Sequence, residues 1–277
     1  MSTANAFRGK AILITGAPSG LGAELAEQLA RHGAVLTLAA RRADVLAHLG
    51  DRIVEVTGAR PLIIECDVTR DGDVERAVAE TVHERGRLDI AFANAGFGVA
   101  GPFAKLSLED YRRQFETNVF GVLRTLYAAL PEVKKTRGAL VITGSIAGWV
   151  ATPGTSAYAM SKFAVRALAN SITPELAQVG VALTLLSPGF VESNIRRVDN
   201  LGRLHPEAPE PLPGWLVMSR RKAALQILRA VAHRQREAII TGHGRILITM
   251  ERYAPWLMRV AGRKMAARGG GYRPEPT

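Results

Sequence analysis

Apolar residues in this chain fall into two alternating patterns. Short unbroken runs occupy 11–15, 34–40, 61–65, 88–93, 139–143 and 181–186. Their length and character predict strands covered on both faces. Between them, at about 21–32, 71–85, 108–130 and 156–178, apolar residues return every three or four positions, the period of an amphipathic helix. Leu21, Leu25 and Leu29 make the first such stripe. This alternation predicts an α/β protein: a doubly wound parallel sheet with helices on both faces. No internal repeat or low-complexity tract breaks it. A length of 277 residues fits a single domain, 1–277, for a fold of this kind.

The regularity stops after residue 190. The stretch Arg203 to Gly214 carries Pro206, Pro209, Pro211 and Pro213, which predicts a loop. A helix and another strand follow it, so it is a loop within the domain, not a linker.

Composition adds bounds. Hydrophobic residues make up 47% of the chain, enough for a large core. Cys66 is the one cysteine, so no intramolecular disulfide forms, and it reads as a buried thiol at a strand end. No run reaches the 18 or so apolar residues of a membrane span, and Met1 to Lys10 is short and polar. The cytoplasm is the expected location.

Charge is uneven. Residues 1–194 carry 20 Lys/Arg and 19 Asp/Glu; residues 195–277 carry 16 and 6. Basic character therefore belongs to the C-terminal third. No nucleic-acid motif accompanies it, so nucleic-acid binding is not expected. Residues 245–277 read as a basic helix and tail. In Arg252 to Arg268, Tyr253, Trp256, Leu257 and Val260 recur at helical spacing among Arg252, Arg259, Arg263, Lys264 and Arg268. Pro255 suits a first turn, so the helix begins near it. Such a helix lies on an anionic membrane, or packs on its own protein or a second subunit; both readings stay open.

Two motifs carry chemistry. Thr15-Gly-Ala-Pro-Ser-Gly-Leu-Gly22 lies between the first strand and the first helix. Glycines at such a junction let the backbone approach a pyrophosphate, which sits on the helix's positive end. Further on, Tyr158 and Lys162 are four residues apart, with Ser145 thirteen residues upstream. At helical spacing the two side chains share a face. An ammonium beside the phenol is expected to lower its pKa and make Tyr158 a general acid/base. Ser145 supplies a hydroxyl for a substrate carbonyl.

Together these motifs resemble the short-chain dehydrogenase/reductase family over roughly residues 8–190. Ala93-Asn-Ala-Gly96 is similar to its turn after the fourth strand, with Ala93 in place of an Asn. Asn118, Pro188-Gly189 and Ser193 also fall on its pattern. Pro18, Ala93 and Ser193 are mild departures. The resemblance implies a Rossmann-type fold and a catalytic set of Asn118, Ser145, Tyr158 and Lys162. It implies cofactor contacts from Gly16, Ser19, Gly20, Leu21, Gly22, Asp67, Asn94, Tyr158, Lys162, Pro188 and Gly189. Lys162 would hold the nicotinamide ribose, and Asn118 a water that links Lys162 to solvent. Residues 190–218 resemble the substrate-binding lid. Pairing of the helices that carry Asn118 and Tyr158 implies a homodimer or homotetramer. No metal is expected: the six His residues show no ligand spacing.

Cofactor choice is argued at the end of the second strand. An NAD enzyme places an acid there; this chain has Ala40, then Arg41 and Arg42. Guanidinium groups suit a 2′-phosphate, so NADP(H) is expected. Asp44 comes too late and is expected to cap the next helix. The reading is an NADP(H)-dependent oxidoreductase interconverting a ketone and a secondary alcohol. Phe190, Val191, Ile195, Leu201, Leu204, Trp215, Leu216, Val217 and Met218 make the lid apolar. That favours a hydrophobic substrate, or else lid residues packed on the core. A non-catalytic NADP(H)-binding sensor and a membrane-surface protein on the same fold are the alternatives.

Overall fold

The computed structural model describes residues 3–205, 207–209 and 212–267. Seven strands form one wholly parallel sheet in the order β3-β2-β1-β4-β5-β6-β7. They are β1 Ala11–Thr15, β2 Val35–Ala40, β3 Leu62–Glu65, β4 Ile90–Ala93, β5 Ala139–Thr143, β6 Ala182–Ser187 and β7 Glu237–Ile239. The first six lie within a residue or two of the expected runs. β7 is the strand expected beyond the proline-rich loop.

Helices cover both faces. α1 (Gly20–Arg31), α2 (Ala43–Thr57) and α7 (Arg220–Ala232) pack on one side; α3 (Asp73–Arg85), α5 (Gly121–Lys135) and α6 (Ser156–Gln178) pack on the other. β1 shows why its sequence is continuously apolar. Ile12 and Ile14 enter the first core and Leu13 the second, all fully buried; successive strand side chains point to opposite faces.

Several expectations change. The helix expected over 108–130 is a composite: α4 (Leu108–Phe115), a π-turn at Glu116–Phe120, then α5. Asp44 does not cap α2. The helix starts at Ala43 with Arg42 as its N-cap residue, and Asp44 lies in the first turn, where a carboxylate favours the helix dipole. The C-terminal region is two helices, α8 (Gly242–Tyr253) and α9 (Pro255–Ala267), not one. Pro255 starts the second, as its fixed φ allows. Arg268 and the tail to 277 lie outside the described residues. Among these residues, no helix is long and apolar enough to cross a membrane.

The sheet order places a switch point between β1 and β4, where successive crossovers run to opposite sides. In open parallel sheets a ligand crevice opens there, beyond the carboxyl ends of the strands.

Candidate active site

A cavity of about 490 Å³ lies at that crevice. Six strand ends reach it in turn, through Gly16, Arg41, Asp67, Asn94, Ser145 and Pro188. Every expected cofactor and catalytic residue lines it except Asn118, which is buried just behind.

The glycine turn forms the cavity's first wall. Gly16 has φ +66°, and a Cβ there would stand 2.6 Å from Ala95 Cα, so no other residue fits. The turn delivers the N-terminus of α1 to the cavity, with Ser19 as its N-cap residue. Ser19 makes no side-chain cap bond. Asn94 braces this wall: its Nδ2 donates to the carbonyls of Thr15 and Gly16, both at 3.1 Å, and its Oδ1 accepts from Thr143 Oγ1 at 3.1 Å. Asn94 thus joins the ends of β1, β4 and β5. Asp67 turns the chain after β3, accepting from the Thr69 N–H (3.0 Å) and hydroxyl (2.8 Å). Arg41 and Arg42 are exposed at the end of β2. Neither makes an ion pair among the described residues.

At the opposite end, Lys162 is 5% exposed and its Nζ donates to the Thr143 carbonyl at 2.8 Å. That Nζ stands 5.7 Å from the centre of the Tyr158 ring. Burial alone lowers the Lys162 pKa to about 8. The Tyr158 phenol is raised, not lowered as the spacing predicted. Burial raises it, and this outweighs the opposing effects of the Ser145 hydroxyl and the Arg196 charge. Desolvation disfavours the charged form of either group, and sequence spacing carries no record of it. Ser145 Oγ accepts from the Ala147 N–H at 3.1 Å, which fixes its rotamer at the start of a 3₁₀ turn.

Asn118 sits within the π-turn and is fully buried. Such turns widen a helix locally and recur at functional sites. Its amide pairs with the Phe97 backbone, accepting from N–H at 3.1 Å and donating to C=O at 3.0 Å, and it donates to Ser161 Oγ at 3.2 Å. Its side chain is therefore committed to protein groups. Gly96 lies between it and Lys162: a Cβ there would be 3.1 Å from Asn118 Oδ1 and 3.8 Å from Lys162 Nζ.

The segment from Val191 to Gly202, within the expected lid, borders this cavity. Ser193 faces the glycine turn, its Oγ 3.4 Å from where a Gly20 Cβ would lie. Ile195 and the Tyr158 ring both border Gly98. Gly202 lies beside the Arg41 guanidinium. The lid's apolar residues divide. Val191 is buried in the core, with Met218 packed against that core, and also lines the cavity, as do Ile195, Val198 and Leu201. Trp215 is 85% exposed and does neither.

The residues that line the cavity suit the parts of a dinucleotide. Exposed guanidiniums mark one end, helix N–H groups the middle, and a hydroxyl, phenol and ammonium the other. The comparisons agree. The model of the short chain dehydrogenase family matches residues 10–203, and the chain belongs to that family of oxidoreductases, which use a nicotinamide cofactor. It is 34% identical over 227 residues to an "11-beta-hydroxysteroid dehydrogenase-like 4A" of Arabidopsis thaliana, covering 81% of this chain and 73% of the relative. It is 37% identical over 205 residues to "Oxidoreductase UcpA" of Salmonella typhimurium, covering 73% and 76%. Among solved structures, an alcohol dehydrogenase of the archaeon Thermococcus sibiricus, complexed with 5-hydroxy-NADP, superposes with a TM-score of 0.74. Identity there is 28%, over 83% of this chain and 95% of that one.

Proposed function

We propose that this protein is an NADP(H)-dependent oxidoreductase that interconverts a ketone and a secondary alcohol on a hydrophobic substrate. The carrying observation is that Ser145, Tyr158 and Lys162 line the same cavity as the glycine turn and Arg41. When bound, the nicotinamide supplies or accepts hydride. Arg41 and Arg42 hold the 2′-phosphate, and the start of α1 receives the pyrophosphate. Ser145 donates to the substrate carbonyl oxygen and keeps it against the Tyr158 hydroxyl. Tyr158, neutral because burial raises its pKa, gives its proton to that oxygen in reduction; in oxidation the phenolate form takes the proton of the alcohol. Lys162 holds the nicotinamide ribose. With a pKa of about 8, it exchanges a proton readily near neutral pH. Asn118 holds the Phe97 turn beside Lys162, and any water relay there falls to its main chain.

The known relatives' names support the reaction class, and the lid side chains Ile195, Val198 and Leu201 support an apolar substrate. Oxidation of NADPH in the presence of a panel of hydrophobic ketones tests the reading. Turnover with some panel members supports it. Cofactor binding with no turnover of any ketone, or of any alcohol in reverse, would favour a cofactor-binding sensor instead.

Two assembly properties belong to the same proposal. Phe120 and Tyr127 on the π-turn and α5, and Met160 and Phe163 on α6, are large apolar side chains left exposed. They suit a homodimer or homotetramer through these helices; light scattering that shows only a monomer at micromolar concentration rejects it. On α9, Trp256, Leu257, Val260 and Met265 are exposed among Arg259, Arg263 and Lys264, which suits peripheral contact with an anionic membrane. Flotation with anionic but not neutral liposomes is the expected result.

A further inference from the structure

The turn that leads out of β6 is held by a side chain with no part in the proposed chemistry. Pro188, Gly189 and Phe190 carry the chain from the end of β6 into the lid. The Pro188 carbonyl accepts from the N–H of Ile146, the residue after Ser145, at 2.9 Å. The Phe190 N–H has left the sheet and donates to Nε2 of His243 at 2.9 Å. The two rings also stack, with centroids 5.0 Å apart and planes at 19°. Gly189 lies against the same group: a Cβ there would meet Thr241 Oγ1 at 2.2 Å and His243 Nε2 at 2.4 Å.

His243 is itself rigidly placed. It lies in the first turn of α8, which Thr241 caps by accepting from the Gly244 N–H at 3.3 Å. Thr241 is fully buried. An Nε2 that accepts a hydrogen bond carries no proton, so the neutral ring bears its proton on Nδ1. The helix N-terminus and partial burial both disfavour an imidazolium here, and burial holds the His243 pKa below its ordinary value.

Phe190 is also where the lid's two ends meet. Its carbonyl accepts from the Met218 N–H at 2.9 Å, and the Glu192 N–H donates to the Met218 carbonyl at 3.0 Å. Whatever sets Phe190 therefore sets the lid's neck and the upstream pair Pro188 and Gly189. That pair lines the cavity with Ser145, Tyr158 and Lys162. The adenosine end is built from other parts: the turn after β1, Arg41 after β2 and Asp67 after β3.

We propose that His243 is a positioning residue for the nicotinamide end of the cavity: by accepting the Phe190 N–H, it sets the Pro188–Gly189 turn and the lid's neck against the floor that carries Ser145 and Tyr158. This rests on the nicotinamide-cofactor reading above. A general stabilising role would loosen the whole site; this role loosens one end.

The test uses two substitutions of similar bulk, His243→Leu without an acceptor and His243→Gln with one. Binding of NADPH is compared with binding of 2′-phospho-ADP-ribose, which lacks the nicotinamide. NADH and ADP-ribose are run in parallel. His243→Leu is expected to weaken NADPH binding roughly tenfold, the usual scale for a lost buried hydrogen bond, and to leave the truncated ligand within about twofold. His243→Gln should recover most of the loss. Equal weakening of both ligands, no weakening of either, or no recovery by glutamine would overturn the proposal. Should the leucine variant not fold, His243→Asn, whose amide is too short to reach the Phe190 N–H, carries the same comparison with glutamine. If the unmodified protein binds none of the four ligands, the cofactor reading itself fails, and that outcome is distinct from the others.

Discussion

Residues 1–194 hold nearly equal numbers of acids and bases; residues 195–277 hold 16 bases against 6 acids. The first region builds six of the seven strands, the glycine turn and all of Asn118, Ser145, Tyr158 and Lys162. Of its buried charges, Asp89, 2% exposed, is paired: it receives Lys10 at 3.1 Å, Arg87 at 2.6 Å and the Ala11 N–H at 3.0 Å. The second region supplies α7 to the core, then the rest of the lid, β7 and the two outer helices. α9 has no buried residue. The difference separates two tasks. Chemistry needs fixed angles between a few side chains, and a doubly packed sheet provides them. Choice of substrate and of surroundings needs variable, solvent-facing pieces, and the second region consists largely of these.

The largest expected effect breaks the first region and leaves the second untouched. Tyr158→Phe keeps the ring and its contacts beside Gly98 and Ile195 but removes the proton. Turnover should fall roughly 10²–10⁴-fold, the usual worth of a positioned acid, with NADPH binding and thermal stability near those of the unmodified protein. Steady-state rates of the purified variant decide it; near-normal turnover removes Tyr158 from its role.

Next in size is the energetic cost of the site itself. Lys162 is buried with a pKa of about 8 against 10.5 in a free side chain. Below about pH 8 it is charged both folded and unfolded, and burying that charge opposes folding. Between about pH 8 and 10.5 the unfolded chain binds a proton that the folded one has lost, so stability rises with pH. The full difference is on the order of 3 kcal/mol. Urea unfolding at pH 8 and pH 10 should show a steeper gain for the unmodified protein than for Lys162→Met. Parallel pH dependences would show that Lys162 is not desolvated as described.

Cofactor choice lies on the boundary, because Arg41 belongs to the first region and lies near Gly202 of the second. Replacing Ala40 by Asp and Arg41 by Ser removes an attraction for the 2′-phosphate and adds a repulsion. Each charge-assisted contact is worth about 1.5–3 kcal/mol, so the kcat/KM preference for NADPH over NADH should fall at least about tenfold. Added salt should weaken NADPH binding to the unmodified protein more than NADH binding. An unmodified protein that already prefers NADH refutes the reading of Arg41.

How legible each region was in the sequence follows the same divide. The strands, the glycine turn and the Tyr158–Lys162 pair were readable because each is a local pattern: a buried run, a turn that demands φ > 0 at Gly16, a helical spacing. α2 was expected only as a helix following Asp44. Its stripe of Leu46, Leu49 and Ile53, all buried, was there to be counted. The site residues that sequence reasoning missed were not local. His243 meets Phe190 across 53 residues, and Asn200 meets Ala100 across 100. Neither pair has a periodic or motif-like signal. The raised phenol of Tyr158 was missed for a related reason: burial is a property of everything packed around a group.

The smallest expected effect tests how the two regions are joined. Asn200, in the lid, clasps the backbone of Ala100 on the far side of the cleft: its Oδ1 accepts from the Ala100 N–H at 3.0 Å, and its Nδ2 donates to the Ala100 carbonyl at 3.0 Å. Ser193 against the glycine turn and Gly202 against Arg41 make the lid's other crossings. If this segment covers a bound dinucleotide, release needs the segment to lift, and the clasp would slow that step. Asn200→Ala removes both hydrogen bonds of the clasp at a partly solvated position, where water replaces them and the pair together contributes about 0.7–1.4 kcal/mol, the low end of the usual range. Release should quicken by roughly threefold to tenfold, with little change in the bound geometry. If product release limits turnover, kcat rises by a similar factor; if chemistry limits it, kcat stays level. Stopped-flow displacement of NADPH measures the release rate directly. An unchanged rate would mean that the lid opens about another hinge, with Asn200 riding along.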